Sequence, residues 1–141
     1  MPSSVTALHE GVEIPVLERE ISTADLVKYA GAADDYSPQH WDHTLMVAAG
    51  FPGVIVHGWL TFAVMCEAVR RWIPPETAEI TAFKVRYHRP HLPGPMSCGG
   101  RIAHVESAAR EPQAQLELWA KEASGEVTTT ADVTLTFAPA R

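Results

Sequence analysis

From Ser22 on, hydrophobic and polar positions change their period once along this chain, near Ala78. Between Ser22 and that point the apolar residues recur at helical spacing. After it they fall into strand-length runs bounded by turn residues. Val16–Ile21 alternates and predicts a first strand. Ser22 or Thr23 then stands as a helix cap before Asp25, with Leu26, Val27, Tyr29 and Ala30 as the apolar contacts and Gly31 weakening the end. Asp34–Asp42 is rich in turn residues, and Pro38 fixes part of its backbone. Thr44–Ala49 predicts a short helix stopped by Gly50 and Pro52. The strongest helical signal is Gly58–Trp72, ended by Pro74-Pro75 and apolar nearly all round through Met65. A helix with no polar face is expected to be buried on every side. Strands are predicted at Glu79–His88, Met96–Val105, Gln113–Lys121 and Val127–Phe137. Turn residues separate them at Pro90–Pro95, Ser107–Pro112 and Ser124-Gly125. Met1–His9 and Ala138–Arg141 read as loose ends. The pattern predicts an α+β chain in which a meander of antiparallel strands wraps around one long central helix.

Composition narrows the class without changing that picture. At 141 residues the simplest expectation is one domain over 1–141, and 46% hydrophobic residues are ample for an ordered core. A net charge of −6 argues against nonspecific nucleic-acid binding, which needs a basic surface. Cys66 and Cys98 sit in no metal-type spacing. Met1–Glu10 lacks the apolar stretch of a secretory signal, and the longest apolar run is far short of a membrane span. The expectation is a cytoplasmic protein with two free thiols and no membrane partner.

Chemistry concentrates in one stretch. Asp35 and His40 lie five positions apart, joined by Tyr36-Ser37-Pro38-Gln39, and His57-Gly58 follows seventeen residues after His40. A carboxylate and an imidazole together can move protons near neutral pH. A glycine opening a helix offers backbone N–H groups to an oxygen gaining charge. Alone, D-x4-H is also what a solvated turn looks like, with Asp34 or Asp35 capping local N–H groups. Asp34 is the neighbouring alternative to Asp35.

The pattern D-x-S-P-x-H followed by H-G-φ-L resembles the MaoC-type (R)-specific enoyl-CoA hydratases and 3-hydroxyacyl-thioester dehydratases. The likeness is strongest over Ile21–Glu67 and weaker to the C-terminus. It implies the hot-dog fold, the same wrapped-helix architecture that the periodicity predicts. It further implies hydratase/dehydratase chemistry on a trans-2-enoyl thioester, with Asp35 and His40 activating the water and the Gly58 N–H holding the thioester carbonyl. Which of the pair moves which proton stays open. No cofactor is implied beyond coenzyme A, or acyl carrier protein, as part of the substrate. Bare sheet edges imply a homodimer, or a heteromer with another hot-dog chain. The rivals are a subunit of a heteromeric dehydratase, a thioesterase on the same fold, and an acyl-ligand binding module.

The remaining candidates stand around that core. Ser37 occupies a position where asparagine is frequent in the family, and it keeps a short side chain for a turn hydrogen bond. His57 is expected to hold the loop that presents Gly58. Trp59 stands where methionine is common and, with Phe62 and Met65, is expected to line the core or the acyl end of the site. Cys66, eight positions after Gly58, replaces a frequent serine and is expected as a packed thiol. His40, Asp42 and His43 with Asp35 form a loose metal alternative, and no metal is expected. Lys84, Arg86 and Arg89 are available to substrate phosphates, though most such charges are simply solvated.

Overall fold

The computed structural model describes residues 2 and 4–138. Strand β1 (Glu13–Ile21) leads into helix α1 (Thr23–Ala33). A 3-10 turn at Pro38–His40 and helix α2 (His43–Ala48) follow, and then helix α3 (Gly58–Trp72). Four strands complete the chain: β2 (Ala78–Tyr87), β3 (Gly94–Glu106), β4 (Gln113–Glu122) and β5 (Val127–Phe137). All pair antiparallel in one sheet of order β1-β3-β4-β5-β2. The sheet curls around α3, which packs against β1, β3, β4 and β5. This is the hot-dog arrangement that the sequence predicts.

Local chemistry accounts for the element boundaries. Ser22 caps α1 in a reciprocal box: its side chain accepts from the Asp25 N–H while the Asp25 carboxylate accepts from the Ser22 N–H. Asp34 ends the helix in the left-handed conformation (φ 53°), and the N–H groups of Asp34 and Asp35 both donate to the Ala30 carbonyl. The core runs through Leu26 of α1, Phe62, Met65 and Val69 of α3, and Met96, Ile102, Leu116, Val133 and Leu135 of the sheet.

The structure departs from the sequence expectations in four places. β1 begins at Glu13 rather than Val16, because a register break between Ile14 and Leu17 interrupts the alternation. The N-terminal stretch is not loose: Val5–Ala7 forms a 3-10 turn, and Val5 and Leu8 are buried in the core. Met1, Ser3 and 139–141 lie outside the described residues. Only β3, β4 and β5 form the expected meander, since β2 pairs with β5 at one edge and β3 crosses to pair with β1 at the other. The connection that makes this crossing carries Pro90, Pro93 and the positive-φ Gly94, not a tight hairpin turn. Finally, α3 is not covered all round. Trp59 is 56% exposed and stands in an aromatic cluster with Phe62 and Phe83, whose own ring is 52% exposed on edge strand β2. Among the described residues no helix is long and apolar enough to cross a membrane.

Candidate active site

Burying a polar side chain is costly unless it is paired or put to use. In this protein the buried polar side chains among the described residues are His40, His57, Thr61, His91, Thr128 and Thr129. They are not scattered. His40, Thr61, His91 and Thr129 line one cleft of about 310 Å³, together with Asp35, Gln39, Ile55, Gly58, Tyr87 and Arg89. His57 and Thr128 stand directly behind it, bonded to Asp35 and His91 respectively. The cleft therefore joins the loop after α1, the first turn of α3 and the end of β2.

Asp35 is half-exposed, and its Oδ1 accepts from the Ser37 hydroxyl at 2.7 Å and the Ser37 N–H at 3.2 Å. Those two donations, the hydroxyl's first, hold its carboxyl below the usual carboxylate range, with His40 and His57 adding to the effect. The serine thus serves the aspartate directly. Asp34 ends α1 and is not among the cleft residues.

His40 is buried, and its Nδ1 lies 2.7 Å from the Ile55 carbonyl oxygen. A carbonyl only accepts, so the proton sits on Nδ1 and the Nε2 lone pair is left toward the cleft. Nε2 lies 3.9 Å from Asp35 Oδ2 and accepts from the exposed Gln39 amide at 3.2 Å. The His57 ring stacks on His40, with centroids 3.7 Å apart and planes 20° from parallel. His57 Nε2 donates to the Asp35 backbone carbonyl at 3.3 Å. Burial keeps this imidazole below its ordinary pKa, hence neutral. Tyr29 packs near it, at a ring-centroid distance of 4.8 Å. His57, the residue just before Gly58, is therefore tied to the Asp35 loop.

Gly58 is the first residue of α3, and no side chain caps that end. Its N–H is one of those a helix start leaves without an intrahelical partner. A Cβ at this position would lie 2.8 Å from Tyr87 Cζ, so the glycine is what lets the Tyr87 ring close over the helix start. Burial first, and Tyr29 after it, raise the Tyr87 hydroxyl pKa above its usual range, so Tyr87 presents a neutral phenol to the cleft.

Other sequence candidates fall elsewhere. Trp59 and Cys66 do not line the cleft. Trp59 turns onto the aromatic cluster beside β2, and Cys66 packs against the core with its thiol pKa pushed up by burial. Asp42 caps α2 by accepting from the Leu45 N–H at 2.9 Å, and His43 lies against Gly53, so neither joins a metal set with Asp35. Asp35, His40 and His57 do bring donor atoms within 4.8 Å of one another. Yet a metal sits in the plane of each imidazole that binds it, and two rings stacked nearly parallel at 3.7 Å do not share such a point. Of Lys84, Arg86 and Arg89, only Arg89 lines the cleft, and it pairs with Glu126. Arg86 pairs with Asp132 on the sheet. Tyr87, His91 and Thr129 carry no local signal in the sequence. Tyr87 and Thr129 meet by strand pairing, and His91 comes from the β2–β3 connection, tied to Val56 and Thr128.

Comparison with known proteins bears on the family and the fold. The family described as MaoC like domain matches residues 6–127. No curated protein matches the chain. Among solved structures, a monoamine oxidase regulatory protein from Archaeoglobus is similar at 20% identity, covering 99% of this chain and 97% of its own, with a TM-score of 0.88. The R-hydratase PhaJ1 from Pseudomonas aeruginosa is similar at 16% identity over 98% of this chain and 87% of its own, TM-score 0.81. The ChsH1-ChsH2 complex from Mycobacterium tuberculosis is similar at 21% identity over 92% and 98%, TM-score 0.80. At these identities the likeness is one of fold.

Proposed function

Because the chain belongs to the MaoC-like domain family, we propose that it is a hydratase/dehydratase interconverting a trans-2-enoyl thioester and its (R)-3-hydroxyacyl form. The observation that carries the proposal is the shared cleft. The Asp35 carboxylate, the His40 Nε2 lone pair and the start of α3 at Gly58 all line it.

The 3.9 Å between Asp35 Oδ2 and His40 Nε2 is too long for a direct hydrogen bond. It is short enough for both atoms to hold one water oxygen at about 2.8 Å each. The substrate water takes that place as the exposed Gln39 amide moves aside. Asp35, kept ionised by Ser37, orients it, and His40 Nε2 accepts its proton as the oxygen bonds to the β-carbon. Electrons shift through the double bond onto the thioester oxygen, which the Gly58 N–H and the α3 dipole stabilise. The imidazolium, steadied by Asp35, then returns the proton to the α-carbon. One water is consumed and no redox change occurs, so the chemistry calls for no metal or redox cofactor. With the carbonyl pinned at Gly58 and both proton-transfer groups on one loop, addition is to a single face, which supports one enantiomer.

The acyl carrier is coenzyme A, with acyl carrier protein the alternative. The exposed Phe83 on edge strand β2, with Trp59 beside it, suits pairing with a second copy of the chain. A different hot-dog chain is the other partner such an edge accepts. The test is loss of conjugated enoyl absorbance with a chain-length series of trans-2-enoyl-CoA, followed by chiral analysis of the product. Asp35→Asn and His40→Ala should each lower kcat by about two orders of magnitude or more. Near-normal turnover in either folded variant, or a racemic or (S) product, would overturn the assignment.

A further inference from the structure

Tyr87 is held against the start of α3 with its hydroxyl unused. Side chains alternate along β2. Arg86 and His88 therefore share the exposed side of the sheet, where they bond Asp132 and Thr130. Tyr87 points the other way, onto α3. It pairs in register with Thr129, a buried residue of the same cleft, and its ring fills the space that a Gly58 side chain would take. Along Arg86–His91 the other polar side chains are engaged, Arg86 on Asp132, His88 on Thr130, Arg89 on Glu126 and His91 on Thr128, whereas the Tyr87 hydroxyl has no partner among the described residues.

The packing fixes how far that hydroxyl can be from the Gly58 N–H. A Cβ on Gly58 would lie 3.2 Å from the Tyr87 hydroxyl oxygen. Standard bond lengths put such a Cβ about 2.5 Å from the Gly58 nitrogen. The nitrogen and the hydroxyl oxygen are therefore at most about 5.7 Å apart, the sum of those two lengths. One oxygen accepting from both at ordinary lengths, about 2.9 Å from the nitrogen and about 2.8 Å from the hydroxyl, bridges any separation up to that limit. The two donors can thus share an acceptor, and both residues line the cleft that Asp35 and His40 line.

We propose that Tyr87 is a further catalytic residue, whose hydroxyl gives the thioester oxygen a second hydrogen bond beside the Gly58 N–H as that oxygen takes up negative charge. This rests on the hydratase reading of the cleft and adds to its oxyanion site. A carbonyl oxygen has two lone pairs, and a single backbone N–H leaves one of them open. A donor placed where charge develops lowers the barrier, because its bond strengthens on the way to the enolate. Burial first, and Tyr29 after it, hold the Tyr87 pKa above the usual range, so the phenol keeps its proton while the enolate forms. Tyr87 shares its hydrogen and transfers none. The proton of the water still goes to His40 and returns to the α-carbon. Gly58 then serves twice: its backbone offers the N–H, and its missing side chain admits the ring.

Tyr87→Phe keeps the ring on Gly58 and removes only the hydroxyl. Losing a fully enclosed oxyanion donor costs about 100-fold or more in kcat, and water reaching this half-exposed residue makes up part of that. With crotonyl-CoA the variant should therefore lose about tenfold in kcat, with KM changed by less than about threefold. A second readout needs no turnover. Butyryl-CoA labelled with carbon-13 at the thioester carbonyl is bound to each protein, and the carbonyl stretch is read by infrared difference spectroscopy. Loss of a hydrogen bond should move that stretch to higher frequency in Tyr87→Phe. A kcat within about twofold of wild type, a loss confined to KM, or an unmoved stretch overturns the proposal. If the wild type hydrates no enoyl thioester, the hydratase reading has failed, and the stretch alone decides whether Tyr87 touches the carbonyl. A protein that binds no acyl thioester overturns both.

Discussion

Gly58→Ala should separate the chemistry of the cleft from the stability of the fold. The added methyl would lie 2.8 Å from Tyr87 Cζ and 2.9 Å from Cε1, where ordinary contact begins at 3.4 Å. Ring and helix start must therefore part by at least about 0.6 Å, the difference between 3.4 and 2.8 Å. Two stability effects oppose each other. Replacing glycine by alanine within a helix favours folding by roughly 0.5–1 kcal/mol, and overpacking a tight site costs about 1–3 kcal/mol. Tyr87 is 49% exposed, so the ring can yield toward solvent and the strain falls at the low end of that range. The net change should stay within about 1 kcal/mol, a shift of a few degrees in Tm. Catalysis has no such escape. In the proposed reaction the Gly58 N–H holds the carbonyl beside the Tyr87 ring, and a misplacement approaching 1 Å costs up to about 100-fold. The expected result is a fall of about 10–100-fold in kcat/KM, read from enoyl absorbance, with a nearly unchanged melting curve by circular dichroism. A folded Gly58→Ala protein with turnover within twofold of wild type would refute the oxyanion role given to this helix start.

Ser37→Ala removes the larger of the donations that depress the Asp35 pKa, so that pKa should rise toward its ordinary value. The acid limb of the kcat/KM profile should then move to higher pH. A carboxyl with a lowered native pKa stabilises the fold above its unfolded value and loses that contribution as pH falls through the native one. The variant should therefore be less stable than wild type near neutrality and converge with it in acid; an unmoved acid limb refutes the link. Turnover should persist through exhaustive chelation, because the stacked His40 and His57 rings do not converge on an ion; loss with EDTA and recovery with zinc would reverse that reading. Cys66→Ser should keep fold and activity, and alkylation should be slow, since burial raises the thiol pKa. Rapid stoichiometric inactivation blocked by substrate would show the thiol to be functional.

The sequence was most legible where neighbours in the chain decide the outcome. Gly58–Trp72 was read to the residue, because a glycine start, an apolar run and Pro74-Pro75 all act locally. The Ser22 cap was legible for the same reason. The β1 start was missed because a register break at Ile14/Leu17 hides the alternation, and Val5 and Leu8 are too sparse to announce a buried turn. Strand order was the least legible feature. β2 and β3 are consecutive in the chain yet lie on opposite sides of β4 and β5, and pairing over that distance has no sequence period. The site divides along the same line. Asp35, Ser37, His40 and Gly58 belong to a compact motif, whereas Tyr87 and Thr129 arrive from the sheet and His91 from the connection between β2 and β3. Trp59 is expected at the core or the acyl end of the site, and an apolar helix surface carries no local sign that this residue stays exposed.

Asp35 and His40, the pair proposed to handle the water, follow α1 on a loop and a 3-10 turn, and the proposed proton transfer needs them held closely. Hydrogen bonds to fixed backbone supply the answer. Asp34 turns the chain out of α1, and the Asp35 N–H is tied to the Ala30 carbonyl at 3.1 Å. Trp41 Nε1 closes the next turn by donating to the Tyr36 carbonyl at 2.8 Å. The Ile55 N–H donates to the Gln39 carbonyl at 3.1 Å, and the Ile55 carbonyl accepts from His40, so one residue grips the loop twice. Val56 then passes that grip to the sheet side through His91, and His57 returns to Asp35. The loop is thus stitched to the segment that ends at Gly58. Asp35, His40 and the Gly58 N–H, the three groups the proposed reaction uses, are consequently not independent placements. They move together with the Ile55–Gly58 segment, so a disturbance anywhere along it should change proton transfer and carbonyl binding in the same step.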